Sequence, residues 1–294
     1  MKTEATLRPV MMAGLGVTFF AFLDATTKVF AAGYPLLEIV GLRYGAGAIF
    51  AALIYLVYGD GIPSLAAIRR NLPRSAIVLC TACCFFTAIV RLPLVEAITL
   101  TFLAPLLMAL LGRLILKEPV GLRALIGIFV GLAGVIVIAR GQAVGAAAAT
   151  GRSFDLIGLL AALGCAFSYA LGMVLMRQQT ARDSLPTIVL LTNTGTFLLA
   201  MPIGLWQWQP ILPSHWLLIL MSGFFGTCAH LCMAWAYARA PAGRLGILEY
   251  SAFIWAILFG FYIFGEIPST WTLAGAALIM LACIYASLGR KKTA

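Results

Sequence analysis

The sequence predicts an all-α membrane protein of ten transmembrane helices, arranged as two inverted five-helix repeats with the N-terminus and C-terminus both cytoplasmic. Three observations carry that expectation. The composition is overwhelmingly apolar and divides into helix-length runs, arginine and lysine fall mainly on one side of those runs, and the two halves of the chain resemble each other.

Of 294 residues, 63% are hydrophobic and 10% charged, which leaves too little polar surface to cover a water-soluble domain. A hydrocarbon core about 30 Å thick needs about 20 apolar residues per helix, and runs of that order recur with short polar breaks. The first, Pro9 to Ala31, is too long for a signal-peptide core and has no small-x-small cleavage site before a soluble domain, so it is read as a retained helix. Leu36 to Tyr58, Ser75 to Arg91, Val95 to Leu116 and Leu122 to Ala139 complete a first repeat over residues 1–142. A Gly- and Ala-rich linker, 143–153, leads to the second repeat, 154–294, with helices Leu156 to Met176, Thr187 to Trp206, Trp216 to Tyr237, Leu245 to Phe264 and Trp271 to Leu288. No connecting segment is long enough to hold a folded domain.

The net charge of +10 does not mark a nucleic-acid partner, because the basic residues sit at the ends of apolar runs and form no continuous basic face. Assigning loops alternately puts Arg69, Arg70 and Arg74, Arg177 and Arg182, Arg239 and Arg244, and Arg290 to Lys292 on the side of the N-terminus. The opposite side receives only Lys28, Arg91, Arg140 and Arg152, which is the bias of cytoplasmic against outer loops. Trp206, Trp208 and Trp216 gather at one boundary, as interfacial anchors do. The multi-pass chain is expected in the cell inner membrane.

A shift of 148 residues places Gly112 on Gly260, Glu118 on Glu266 and Gly127 on Gly275, with Lys117-Glu118-Pro119 answering Gly265-Glu266-Ile267-Pro268. Helices 4 and 5 thus read as a copy of helices 9 and 10. An odd number of helices per copy forces the second copy to insert upside down, and two inverted halves can open a central cavity to each side in turn.

Several stretches together resemble the drug/metabolite transporter superfamily, in its ten-helix EamA-type branch. They are Arg91-Leu-Pro-Leu-Val-Glu-Ala-Ile-Thr through Phe102-Leu-Ala-Pro105, Leu116-Lys-Glu-Pro119, Trp235-Ala-Tyr-Ala-Arg-Ala-Pro241 and Phe264-Gly-Glu266. The resemblance implies inverted five-helix repeats, a central cavity and secondary transport of metabolites. Members include exporters of amino acids, aromatic ones among them, and importers of other metabolites. Lys28 falls where the family commonly has lysine, whereas Phe19-Phe20-Ala21-Phe22 stands where a tryptophan is frequent and Asp24 has no expected counterpart.

Ionisable groups within the spans cost at least ~2.5 to 3.5 kcal/mol each on insertion scales and so require a partner or water. Asp24 in helix 1 and Arg43 in helix 2 lie at compatible depths, with Lys28 and Glu38 nearby in the outer half. They are either a charged gate or zwitterion-binding group, or a structural salt bridge holding a helix hairpin. Gly41 and Gly45 would let another helix approach the same stretch closely. His230 and Glu249 could meet across helices 8 and 9 and carry a coupling proton, or simply form a buried hydrogen bond. In the helices that the resemblance assigns to the cavity, Phe86, Thr99, Phe102, Tyr169 and Tyr250 are the candidates for substrate binding. Pro105 predicts a kink and a freed carbonyl near Thr101.

Cys80, Cys83 and Cys84, and Cys228 with Cys232, lie inside apolar runs and read as small hydrophobes, so no metal or other cofactor is expected. The absence of a GxxxxGK[ST] loop disfavours a primary pump. Two histidines, His215 and His230, are too few for the clustered site of a membrane enzyme acting on a lipid-linked substrate, and no polar stripe marks a channel. The expectation is a non-enzymatic carrier of a small molecule working within the lipid bilayer. An aromatic or hydrophobic amino acid is the first candidate cargo, export is the favoured direction, and protons are a candidate coupling ion.

Overall fold

The computed structural model describes residues 4–31, 33–59, 61–116, 122–147, 155–180, 182–237 and 250–288. Every regular element among them is an α-helix: α1 Glu4–Ala31, α2 Leu36–Tyr58, α3 Leu65–Arg91, α4 Leu94–Thr101, α5 Ala104–Leu116, α6 Leu122–Ala147, α7 Leu156–Gln179, α8 Leu185–Trp206, α9 Pro213–Tyr237, α10 Ala252–Phe264 and α11 Thr270–Leu288. Eight segments among the described residues are long and apolar enough to cross a membrane, with Leu94–Ile115 spanning α4 and α5 together. Ala252–Phe264 and Thr270–Ala286 are shorter apolar helices. The surface is apolar in the manner of a lipid-facing one: Leu56, Phe129, Ile136 and Tyr262 are all exposed, and Trp206 at the end of α8 is 89% exposed.

Three boundaries differ from the sequence expectation. The third helix begins at Leu65, not Ser75, so Arg69, Arg70 and Arg74 belong to a helix and not to a loop. Pro73 does not end it, because side chains pin its first turns: Asp183 accepts from Arg70 Nη2 at 2.5 Å and Asn71 Nδ2 at 3.2 Å, and Gln179 Nε2 donates to the Arg70 carbonyl at 2.8 Å. Helix α6 continues to Ala147, into the expected linker, whose residues 148–153 lie outside the described residues, as do Glu118 and residues 245–249. The fourth span is broken, with α4 ending at Thr101 and α5 starting at Ala104.

Two compact units divide the chain, Met1–Phe86 with Leu175–Glu249, and Thr87–Val174 with Tyr250–Ala294. Each draws helices from both halves of the sequence. In the first unit α1 packs on α9, and α2 packs on both α8 and α9. Glycines set these approaches: a methyl on Gly41 would lie 2.9 Å from Met201 Sδ, one on Gly45 3.0 Å from the Phe197 ring, and one on Gly204 2.8 Å from Glu38 Cα. Rising numbers on α2 meet falling numbers on α8, so the two run antiparallel. The outer GxxxG pair, Gly41 and Gly45, therefore serves packing between α2 and α8. Where α9 crosses α2 a methyl on Gly223 would fall 2.7 Å from the Gly47 nitrogen, and where α8 meets α3 one on Gly195 would meet the Ser75 side chain.

In the second unit α6 packs along α11, and α4 meets α10. A methyl on Gly127 would lie 3.0 Å from the Ala282 carbonyl oxygen, and one on Gly134 2.8 Å from that of Gly275, so these helices are also antiparallel and nearly touch along their backbones. Near the start of α7, Asp155 accepts from the Gly158 N–H at 2.8 Å and from Arg91 Nη1 at 3.1 Å. The Gly158 N–H, with Arg91 beside it, holds the Asp155 carboxyl below the usual carboxylate range. A depressed native pKa contributes stability above the unfolded value, lost as pH falls through the native one. Asp155→Asn is therefore expected to lower stability by about 0.5 kcal/mol at pH 7 for this partly exposed pair, seen as a slightly lower melting temperature, and the difference should shrink at pH 3. Melting curves of both proteins at the two pH values test this.

Candidate functional site

The interior of the first unit carries charge where hydrocarbon would be the cheaper filling. Arg43, two turns into α2, is 7% exposed, with its guanidinium carbon 4.3 Å from the Tyr44 ring centroid and 5.9 Å from that of Phe86 on α3. Gly226 on α9 leaves room for it, since a methyl there would lie 3.0 Å from Arg43 Nη2. Asp24 on α1 is the carboxylate on which this cation acts electrostatically. Among the described residues neither side chain makes an ion pair within 4 Å.

His230 on α9 completes the cluster. Its Nδ1 meets the Gly226 carbonyl at 2.7 Å, its ring stands edge-on to Phe20 at 5.1 Å, and the charges of Arg43 and Arg74 both reach it. Arg74, on α3, is 5% exposed and donates to Thr192 Oγ1 on α8 at 2.5 Å. Thr227 Oγ1 donates to the Gly47 carbonyl at 3.3 Å, which adds a hydroxyl at the α2–α9 crossing. Sequence reasoning missed Arg74 because it placed that residue in a loop. The available signal was the amphipathic register of Asn71, Arg74 and Ser75 ahead of the apolar run.

Glu38 does not join this group. It is fully buried, with its Oε2 accepting the Gln209 N–H at 3.1 Å, while Tyr34 Oη takes the Leu212 N–H at 3.1 Å and meets His215 Nδ1 at 2.8 Å. These contacts tie the start of α2 to the α8–α9 connection. Lys28, on the last turn of α1, is half-buried. Glu249 lies outside the described residues.

The second unit contains the break in the fourth span. Phe102 and Leu103 donate to carbonyls three residues back, Thr99 at 3.1 Å and Leu100 at 3.2 Å, and Pro105 has no N–H to restore the helical ladder. The Phe102 carbonyl instead accepts from Cys283 Sγ on α11 at 3.3 Å. The Phe102 ring meets Tyr250 edge-on, with centroids 5.4 Å apart and planes at 87°. Thr99 is fully buried and spends its hydroxyl on the Val95 carbonyl at 2.6 Å. Tyr169 is half-buried on α7.

A carboxylate that the sequence offered only as part of a motif also appears here. Glu96, 9% exposed, accepts from Gln142 Nε2 at 2.8 Å and Thr272 Oγ1 at 3.0 Å. Glu266 accepts the Leu94 N–H at 2.7 Å and so caps the start of α4. The structure thus gathers Asp24, Arg43, Phe86 and His230 in the first unit, and Phe102 with Tyr250 in the second. The seven cysteines are free thiols, and no group of three metal-ligating side chains occurs among the described residues.

The sequence profile of the EamA-like transporter family matches the chain twice, over residues 7–140 and 156–288. A pseudopaline exporter of Pseudomonas aeruginosa is 26% identical over 291 residues, covering 96% of either chain. A riboflavin transporter of Vibrio cholerae is 28% identical over 198 residues, covering 66% of this chain and 62% of its own. A solved crystal structure at 21% identity superposes with a TM-score of 0.68 over 95% of this chain and 96% of its own, which is a likeness of fold.

Proposed function

This chain belongs to the EamA-like transporter family, and from that premise we propose that it is a secondary carrier moving a small amino acid-like metabolite out across the inner membrane by alternating access. The membrane is its solvent and transport, not covalent catalysis, is its activity. The observation that carries the cargo class is the buried Arg43 with Asp24 and His230, both half-buried, in the same unit of a chain whose surface is apolar. Buried charge of this kind faces cavities and pathways in membrane proteins, and its cost is met by function. Export is favoured by the relative of nearly equal length that is an exporter.

Ten spans in two inverted halves, with both termini cytoplasmic, remain the reading of the architecture. Support comes from the two successive profile matches and from reciprocal contacts. Moving 148 residues on from Gly47 and 148 back from Gly223 gives Gly195 and Ser75, and both pairs touch. The same exchange turns Gly127 against Ala282 into Gly275 against Gly134, across two antiparallel helices. Such reciprocity is what a two-fold axis in the membrane plane produces.

Purified protein in proteoliposomes should exchange labelled aromatic or aliphatic amino acids across the membrane. No flux of any amino acid, in either direction and under any imposed gradient, would sink the cargo class. For coupling, His230→Ala and Glu249→Gln should each abolish stimulation by an imposed pH gradient while leaving counterflow measurable. Unchanged pH-driven flux in both variants removes the pair from the coupling step.

A further inference from the structure

Arg43, buried in α2, and Asp24, half-buried on α1, are a basic and an acidic side chain of one unit that do not pair. Arg43 Nε is enclosed without an acceptor, and among the described residues neither the guanidinium nor the Asp24 carboxyl makes a hydrogen bond or an ion pair within 4 Å. The rings of Tyr44 and Phe86 hold the guanidinium instead, at 4.3 and 5.9 Å from their centroids. Direct pairing is the ordinary fate of two charges buried in a membrane protein, because each unpaired ion costs several kcal/mol. Arg43 lies against the Tyr44 ring and beside Gly226 of α9, the helix on which α1, the carrier of Asp24, packs.

We infer that Arg43 and Asp24 form a zwitterion site, with the guanidinium taking the carboxylate of an α-amino acid and Asp24 taking its ammonium group. The inference rests on the carrier reading above and specifies which cargo atoms the chain recognises. A guanidinium offers its N–H groups in a planar fork that matches both oxygens of a carboxylate. A carboxylate such as that of Asp24 accepts from the three donors of an ammonium group. A zwitterion of this kind satisfies both protein charges at once and brings no net charge into the bilayer. A simple amine or a simple carboxylic acid satisfies one and leaves the other uncompensated. Phe20, edge-on to His230, together with Tyr44 and Phe86, supplies apolar walls for the cargo side chain.

The test uses the purified full chain and two readouts. The first is thermal protection by each standard amino acid, compared with its decarboxylated amine and its amide. At least one amino acid should protect, and its singly charged analogues should bind about tenfold more weakly or worse. The second is the melting temperature without ligand. Arg43→Met and Asp24→Asn should both lose amino-acid protection, and Arg43→Met should keep or raise the ligand-free melting temperature, because it removes an uncompensated buried charge. A lower ligand-free melting temperature in both variants marks a structural ion pair and overturns the inference. Equal protection by amine or amide, or no protection by any amino acid, overturns it too. The carrier reading fails separately, only where proteoliposomes move neither amino acids nor riboflavin, so the two failures are distinguishable.

Discussion

Gly223→Leu is expected to yield no folded protein, whereas Gly14→Ala should be neutral or slightly stabilising. At Gly223 a methyl would come within 2.5 Å of Ala46 Cβ, 2.7 Å of the Gly47 nitrogen and 2.8 Å of the Ala46 carbonyl carbon. Two of those three atoms are backbone, so no rotamer change relieves the overlap and α2 and α9 would have to separate. The α2–α9 crossing also carries Arg43, Thr227 and His230, so separation would disperse the charged cluster along with the packing. Even Gly223→Ala should cost about 1 to 3 kcal/mol as overpacking. Gly14 has nothing within 4 Å of the same added atom, and alanine there gains about 1 kcal/mol of helix propensity. Yield of monodisperse protein and its melting temperature decide the matter. A well-folded Gly223→Leu protein with an unchanged melting temperature would mean that the crossing is not close-packed.

That contrast shows how far the sequence could be read. Gly41 and Gly45 announced a close approach by their spacing, and the partner helix was the part left open; Met201 and Phe197 of α8 fill that place. Leu36 to Tyr58 was legible because Gly33 and Pro35 precede it and Gly59, Asp60 and Gly61 follow it, and α2 has those limits. The start of the third helix was not, because Pro73 among three arginines reads as a loop until Asp183 and Gln179, more than a hundred residues away, are seen to hold it. The same error hid Arg74. Asp24 and Arg43 were legible as costly residues at similar depth, but depth along a helix axis says nothing about azimuth. Whether they closed on each other depended on Tyr44, Phe86 and Gly226. Pro105 announced a kink, and the chain breaks at Phe102 and Leu103, where i to i−3 bonds replace the helical ladder.

Phe102→Ala is expected to lower stability by about 3 kcal/mol and to reduce transport by more than that loss explains. The ring is 7% exposed and its removal leaves a cavity at the break in the fourth span. Irregular backbone at membrane depth is tolerated only where protein covers it or a cavity receives it, and here Cys283 and the Phe102–Tyr250 ring pair provide the cover. Phe102 and Tyr250 are also 148 residues apart, so the shift that relates the two halves carries one onto the other. On the proposed inverted-repeat reading, a side chain that touches its own repeat equivalent sits on the axis relating the halves, where an exchange of conformation between them would pass. Leu106→Ala is the control: Leu106 is 2% exposed on α5 and packs against Gly127 and Gly131, so it should lose similar stability without disturbing the break. In the double variant Phe102→Ala with Tyr250→Ala, the stability losses should fall short of additivity by about 0.5 to 1.5 kcal/mol, the worth of an edge-on ring pair. Amino-acid counterflow, normalised to folded protein, should drop far more in Phe102→Ala than in Leu106→Ala. Equal counterflow in the two would reduce the ring pair to ordinary packing and remove it from the transport cycle.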